Sequence, residues 1–246
     1  MSQSAVLEHV LLANDPQTSE IKPPVLELRD IFKSYHTPAG DIAALRGINL
    51  QLGQGDFVAI IGKSGAGKST LVNIATGIDR PDQGEVIVDG KPFHLMDEDQ
   101  RARWRGLNMG VVFQFFQLLP SINLVNNVTI PMEFCNQFSK KERSQRARQL
   151  LEQVGLAGHV HKKPAQVSGG QQQRVAIARA LANDPLMLIA DEPTGNLDSR
   201  TAAEIMDLFS DLVELGKTLL VVTHDQGIAN RADRVIEIVD GEIQGS

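Results

Sequence analysis

The chain has one cysteine, Cys135, so no disulfide can form within it. That suits a reducing compartment, where a lone thiol is most often a small buried hydrophobe. Nor is there an excess of basic residues: 24 Lys and Arg stand against 30 Asp and Glu, for a net charge of −6. No global positive field favours nucleic acid, and no nucleic-acid partner is expected. Long apolar runs are missing as well, none approaching the ~18 residues of a membrane-spanning helix. The partly apolar stretch Ala5 to Ala13 is broken by Glu8 and His9 and follows no basic region, which makes it a poor signal peptide. The expectation is a cytoplasmic chain that meets a membrane only through a partner. Internal repeats and low-complexity tracts are absent. What is present, 246 residues of which 42% are hydrophobic, suits one large domain with a sizeable core.

The organising stretch is Gly62-Lys63-Ser64-Gly65-Ala66-Gly67-Lys68-Ser69-Thr70, which fits the G-x-x-x-x-G-K-[ST] pattern of a phosphate-binding loop. The apolar run Phe57 to Ile61 before it reads as a buried strand, and Leu71 to Thr76 after it as a helix. Strand, glycine loop and helix are the context such a loop needs. Its glycines let backbone N–H groups turn toward an anion, and the helix N-terminus adds about half a positive charge there. Lys68 is placed to reach the β- and γ-phosphates of a nucleoside triphosphate, and the Ser69 hydroxyl to ligate Mg²⁺.

Residues 1–24 read as a mobile tail, with a short amphipathic helix near Val6 to Leu12, and 25–246 as the folded domain. Strands are expected over Val25 to Leu28 and Ala43 to Leu52, with a loop from His36 to Asp41 between them. Asp89-Gly90 and Asp240-Gly241 mark hairpins. Residues 115–180 read as a helical subdomain, in which Ser139 to Glu142 opens a helix as a capping box. Short apolar runs at Gly110 to Phe113, Leu186 to Ala190 and Thr218 to Val222 alternate with helices, which implies a mainly parallel sheet. In such sheets the ligand lies beyond the carboxyl ends of the strands.

The residues at those ends are Gln114, Asp191-Glu192 and His224, together with the glycine loop. Asp191 can hold Mg²⁺ beside Ser69, directly or through water. Glu192 suits a base that orients or polarises the attacking water. Gln114 can contact the metal and the water, and His224 the γ-phosphate. A second glycine turn, Ser168-Gly169-Gly170-Gln171, precedes a helical pattern over Val175 to Ala182 and forms another anion site. One nucleotide does not need two such sites far apart on one chain. A head-to-tail dimer, in which the second site of one copy covers the γ-phosphate held by the other, resolves this.

Val167-Ser168-Gly169-Gly170-Gln171 closely resembles the Leu-Ser-Gly-Gly-Gln signature of ATP-binding cassette (ABC) proteins. With the phosphate loop, Gln114, Leu188 to Pro193 and His224, every nucleotide motif of that family appears in order, over roughly residues 25–243. The resemblance implies an α/β P-loop NTPase of ABC ATPase type: a mainly parallel sheet core, an antiparallel β subdomain and a helical subdomain. It implies ATP and Mg²⁺ as ligands and a homodimer in the closed state. It also implies that Tyr35, the only tyrosine, stacks on adenine, and that the loop with Asp198 meets the other subunit. Ala190 to Asp198, Gln114 to Pro120, Asn127-Val128 and Ile130-Pro131 most resemble the lipoprotein-releasing and macrolide-export group. There the ATPase drives a separate membrane permease of FtsX/MacB-like type from the cytoplasmic face of the inner membrane.

Two departures stand out: Lys63 where many relatives have a proline or small residue, and Val167 for leucine. The apolar loop Phe115 to Leu119 is expected either to line a groove for a permease helix or to belong to the subdomain core. Rival readings are a membrane-linked ATPase that moves no solute, a soluble ABC protein, and, disfavoured by the signature turn, a kinase or GTPase.

Overall fold

In the computed structural model, which describes residues 23–38 and 40–244, the apolar runs become the strands of a six-stranded sheet. The expected tail, save Pro23 and Pro24, and its short helix lie outside the described residues. The elements follow the chain as β1 (Leu26–Thr37), β2 (Gly40–Leu52), β3 (Phe57–Ile61), α1 (Lys68–Ala75), β4 (Gln83–Val88), β5 (Lys91–Pro92), α2 (Glu98–Asn108) and β6 (Met109–Phe113). Then come α3 (Leu124–Phe134), α4 (Lys140–Gln153), α5 (Gly169–Ala180), β7 (Met187–Asp191), α6 (Ser199–Glu214), β8 (Thr218–Thr223), α7 (Gln226–Ala229), β9 (Arg234–Val239) and β10 (Glu242–Gln244).

The large sheet has the order β10-β9-β3-β8-β7-β6 and is parallel except for the β9–β10 hairpin. Its central strands alternate between two cores, as the period of two requires. Val58, Ile60, Ile189, Leu220 and Val222 face α1 and a four-stranded antiparallel sheet of order β2-β1-β4-β5. Phe57, Leu188, Ala190, Leu219 and Val221 face the helices, packing with Leu124, Leu151, Val175 and Phe209. Cys135 is buried, as expected of a lone thiol.

Two local expectations shift. The loop placed over His36 to Asp41 is mostly ladder, since His36 pairs with Asp41 and Thr37 with Gly40. The helix placed from Val175 starts at Gly169, because Ser168 and Gln171 form a reciprocal capping box that outweighs the poor helix propensity of two glycines. Helix α2, for which no expectation was stated, is opened by a capping box between Asp97 and Gln100. Helix α3 carries Pro131 in its interior and still holds as the helical insert predicts.

Candidate functional site

The glycine loop leaves β3 and enters α1 through Gly67, whose φ of +103 suits only glycine and where a Cβ would stand 2.4 Å from the Ala44 carbonyl oxygen. No side chain caps α1 and no acidic residue sits in its first turn, so its N-terminal N–H groups keep their positive end for a ligand. Lys68 is buried, and its Nζ donates to the carbonyl oxygens of Gly62 and Lys63 at 2.7 and 3.0 Å. This holds the ammonium over the loop rather than out in solvent.

Beyond the strand ends lies a cavity of about 620 Å³ lined by Ser64, Gly65, Gly67, Lys68, Ser69 and Thr70 of the loop, by Gln114, Asp191, Glu192 and His224, and by Tyr35. The four separate strand-end motifs therefore meet as expected. Gly62, Lys63 and Ala66 shape the loop without lining the cavity; Lys63 is exposed and Ala66 is packed beneath. Ile42, Ala43 and Ala44 of β2 form the wall near Tyr35 and escaped the sequence reading, since three small or aliphatic residues in a strand carry no motif.

Asp191 ends β7 with Oδ1 buried and without a hydrogen-bond partner. Burial pushes its carboxyl up, the Ser69 hydroxyl pulls it down, and the Glu192 charge adds to the rise. A buried lone oxygen facing a serine hydroxyl is what a hard cation would satisfy. Among the described residues no three His, Cys, Asp or Glu side chains gather as a metal cage. Mg²⁺ typically takes one or two protein ligands and completes its shell with phosphate and water. A folded-state pKa above the unfolded one gives stability below the carboxylate range that is lost as pH rises through the folded value. Asp191→Asn should therefore raise the melting temperature of the nucleotide-free protein at pH 7, with the gain shrinking on acidification. A lower melting temperature at pH 7 would contradict the burial penalty.

Glu192 follows in the left-handed region with φ +47, its N–H donating to the Val222 carbonyl oxygen at 2.8 Å. This turns its carboxylate away from the strand and onto His224, whose Nδ1 lies 3.0 and 2.9 Å from the two oxygens. The Thr223 hydroxyl donates to the same carboxylate at 3.4 Å. Glu192 is largely buried and His224 largely exposed, so the pair bridges the cavity wall and the open surface.

Gln114 ends β6 and begins the apolar loop. Buried Asn127 of α3 holds that loop, accepting from the Leu119 N–H at 2.7 Å and donating to the Leu119 carbonyl oxygen at 3.2 Å. Arg179 of α5 donates to the carbonyl oxygens of Gln117 and Phe116 at 2.5 and 2.8 Å, bracing two residues with positive φ. Phe115 and Leu119 stand exposed, whereas Leu118 packs on the helical core. The core expectation thus holds for Leu118, while Phe115 and Leu119 remain open to a partner.

The second glycine turn lies elsewhere. Ser168 caps α5 and Asp198 caps α6, and the two helix starts are pressed together: a Cβ on Gly170 would stand 2.3 Å from Thr201 Cγ2. Asp198 accepts from the Thr201 N–H and hydroxyl at 3.0 and 2.6 Å. Ser168, Gly170 and Gln171 line their own hollow with Arg174 and Glu204, and neither they nor Gly169 and Asp198 line the phosphate-loop cavity. The glycine loop and the Ser168 turn thus line two separate hollows of the chain.

A family model described as "ABC transporter" matches residues 45–195. The chain is 47% identical over 221 residues to an uncharacterized ABC transporter ATP-binding protein of Thermotoga maritima, covering 90% of this chain and 94% of that one. It is 47% identical to the macrolide export ATP-binding/permease protein MacB of Syntrophobacter fumaroxidans, of which it spans only 31%. Among solved structures it resembles the ATP-binding cassette MJ0796 in a dimeric post-hydrolysis state bound to ADP and Pi. The TM-score there is 0.83 at 42% identity, over 89% of this chain and 97% of that one. CbiO1 of Clostridium perfringens follows at 31% identity and TM-score 0.79, over 91% and 88%.

Proposed function

Because the chain belongs to the ABC transporter family and carries that family's ATP-hydrolysing cassette, we propose that two copies clamp two ATP molecules between them and drive a membrane permease. The observation that carries this reading is the division of each chain into two half-sites. The Lys68 cavity and the hollow lined by Ser168, Gly170 and Gln171 are separate, and in this reading each takes one side of the γ-phosphate. In a head-to-tail pair each would complete the other; the MJ0796 cassette is dimeric with ADP and Pi bound, which supports a paired reading.

In this reading ATP lies with its base against Tyr35 and its phosphates over Ser64 to Thr70. Ser69 and Asp191 would hold Mg²⁺, with Gln114 lining the same cavity. Bound there, the cation would offset charge that develops on transfer. Glu192, steered by His224 and Thr223, accepts the proton of the attacking water. Lys68 and the partner's signature turn stabilise the transferred phosphoryl group. Hydrolysis removes the γ-phosphate that joined the halves, and the dimer opens.

Force leaves through the loop after Gln114. Its carbonyls are tied by Arg179 to the signature helix α5, so closure at Ser168 and movement at Gln114 are mechanically linked. Exposed Phe115 and Leu119 fit the surface that receives a permease helix. Among the described residues no helix is long and apolar enough to cross a membrane. A permease of FtsX/MacB-like type, with the ATPase on the cytoplasmic face and the substrate moved outward, agrees best with the MacB relatives, of which the chain spans about a third.

Phe115→Asp should abolish co-purification with the permease while leaving basal ATP hydrolysis within about twofold, because the side chain is exposed and touches no reacting group. Unchanged co-purification would remove this loop from the interface. Leu118 is not the residue to test, since charge there would enter the core.

A further inference from the structure

Tyr35 does not stand alone at the base end of the cavity. Its hydroxyl donates to Asp79 Oδ2 at 2.9 Å. The other Asp79 oxygen accepts from Lys33 Nζ at 3.1 Å and from the Arg80 N–H at 2.7 Å. Lys33 also donates to the Arg80 carbonyl oxygen at 2.8 Å and lies 3.4 Å from Asp82 Oδ1. Asp82 in turn accepts from the Ser34 N–H at 2.7 Å. The Lys33 ammonium sits 5.3 Å from the Tyr35 ring centroid, over one face. Only 12% of the Lys33 side chain is exposed, so this cation is committed to the cluster rather than to solvent.

The position of Asp79 gives the cluster its meaning. Its N–H donates to the Asn73 carbonyl oxygen at 3.0 Å, which fixes it to the end of α1, the helix that begins at the phosphate loop. Tyr35 belongs to β1, in the other sheet. The Tyr35–Asp79 bond therefore joins the wall that meets the base to the helix that carries the phosphates. Burial, then the Asp79 bond, keep the Tyr35 hydroxyl above its ordinary range, so it stays a donor at neutral pH.

We propose that Asp79 and Lys33 are positioning residues that lock the Tyr35 ring against α1, with Lys33 on one face and the opposite face left for the nucleobase. This rests on the reading of Tyr35 as the base-stacking residue. An exposed tyrosine that could turn freely would lose rotamer freedom on every binding event; one held by its hydroxyl has lost it already. The clamp therefore acts chiefly on the base, although the Tyr35 hydroxyl also meets Thr70 of the phosphate loop.

The test compares affinity for ATP and for inorganic triphosphate, both with Mg²⁺, by calorimetry on the full chain. Tyr35→Phe removes only the hydroxyl, and Asp79→Asn weakens its acceptor and removes the charge. Each should weaken ATP about threefold to tenfold, the loss expected from one freed side chain, and leave triphosphate binding unchanged. In a Tyr35→Ala background, Asp79→Asn should add nothing. If Tyr35→Ala itself leaves ATP affinity intact, the stacking reading fails. If Tyr35→Ala weakens ATP but Tyr35→Phe and Asp79→Asn do not, stacking stands and the clamp is overturned. Equal losses for ATP and triphosphate would make Asp79 a support of α1 alone and would also overturn it. Should Asp79→Asn not fold, Tyr35→Phe decides by itself.

Discussion

Glu192→Gln is expected to bind ATP within a few-fold of the native chain and to hydrolyse it about 10²- to 10⁴-fold more slowly, the range contributed by a positioned general base. The amide matches the carboxylate in shape and can still bond to His224 and Thr223, which lie 2.9 and 3.4 Å from Oε2. What it loses is the capacity to take a proton. With hydrolysis stopped, ATP should hold the two copies together, so the variant should elute as a dimer with ATP and as a monomer without it. Near-normal turnover would remove Glu192 as the base. Turnover lost together with ATP binding would mean that the side chain supports the cavity instead.

Ser168→Asp should separate the two halves of the site. Aspartate is among the preferred helix N-caps, so α5 keeps its start, and a negative charge beside the helix N-terminus is favourable. The hollow proposed to take the γ-phosphate held by the other copy would become repulsive. ATP should still bind the phosphate loop of each chain, while steady-state hydrolysis falls about 100-fold or more, because the phosphoryl group loses a donor and meets an anion. Loss of ATP binding by the isolated chain would contradict this, since Ser168 does not line the phosphate-loop cavity.

Much of the site was legible before any coordinates, because its chemistry sits in contiguous motifs at the ends of apolar runs. Lys68, Gln114, Asp191, Glu192 and His224 could each be read from a strand that stops at a polar residue, and the parallel sheet brings those stops together. Contacts that depend on distant backbone were not legible. The unpartnered Asp191 oxygen, the turn of Glu192 onto His224, and the grip of Arg179 on the loop after Gln114 arise only once strands and helices pack. The Tyr35 cluster joins residues 44 positions apart, with no sequence pattern to announce them. Local structure was misjudged where one strong interaction overruled propensity. Ser168 and Gln171 start a helix on two glycines, and the β1–β2 ladder continues to Thr37 and Gly40.

The account depends on nucleotide being held between two chains, and a mixing assay tests that most directly. Lys68→Ala spoils the phosphate loop and Ser168→Asp spoils the signature turn, so each variant alone should be inactive. A mixed dimer has one site with both halves intact and one with both spoiled. Equal mixing makes half of the dimers mixed, so ATPase activity should recover to about one quarter of the native rate if the sites work independently. Mixtures that never exceed either parent, at concentrations where the native chain dimerises with ATP, would contradict the shared site.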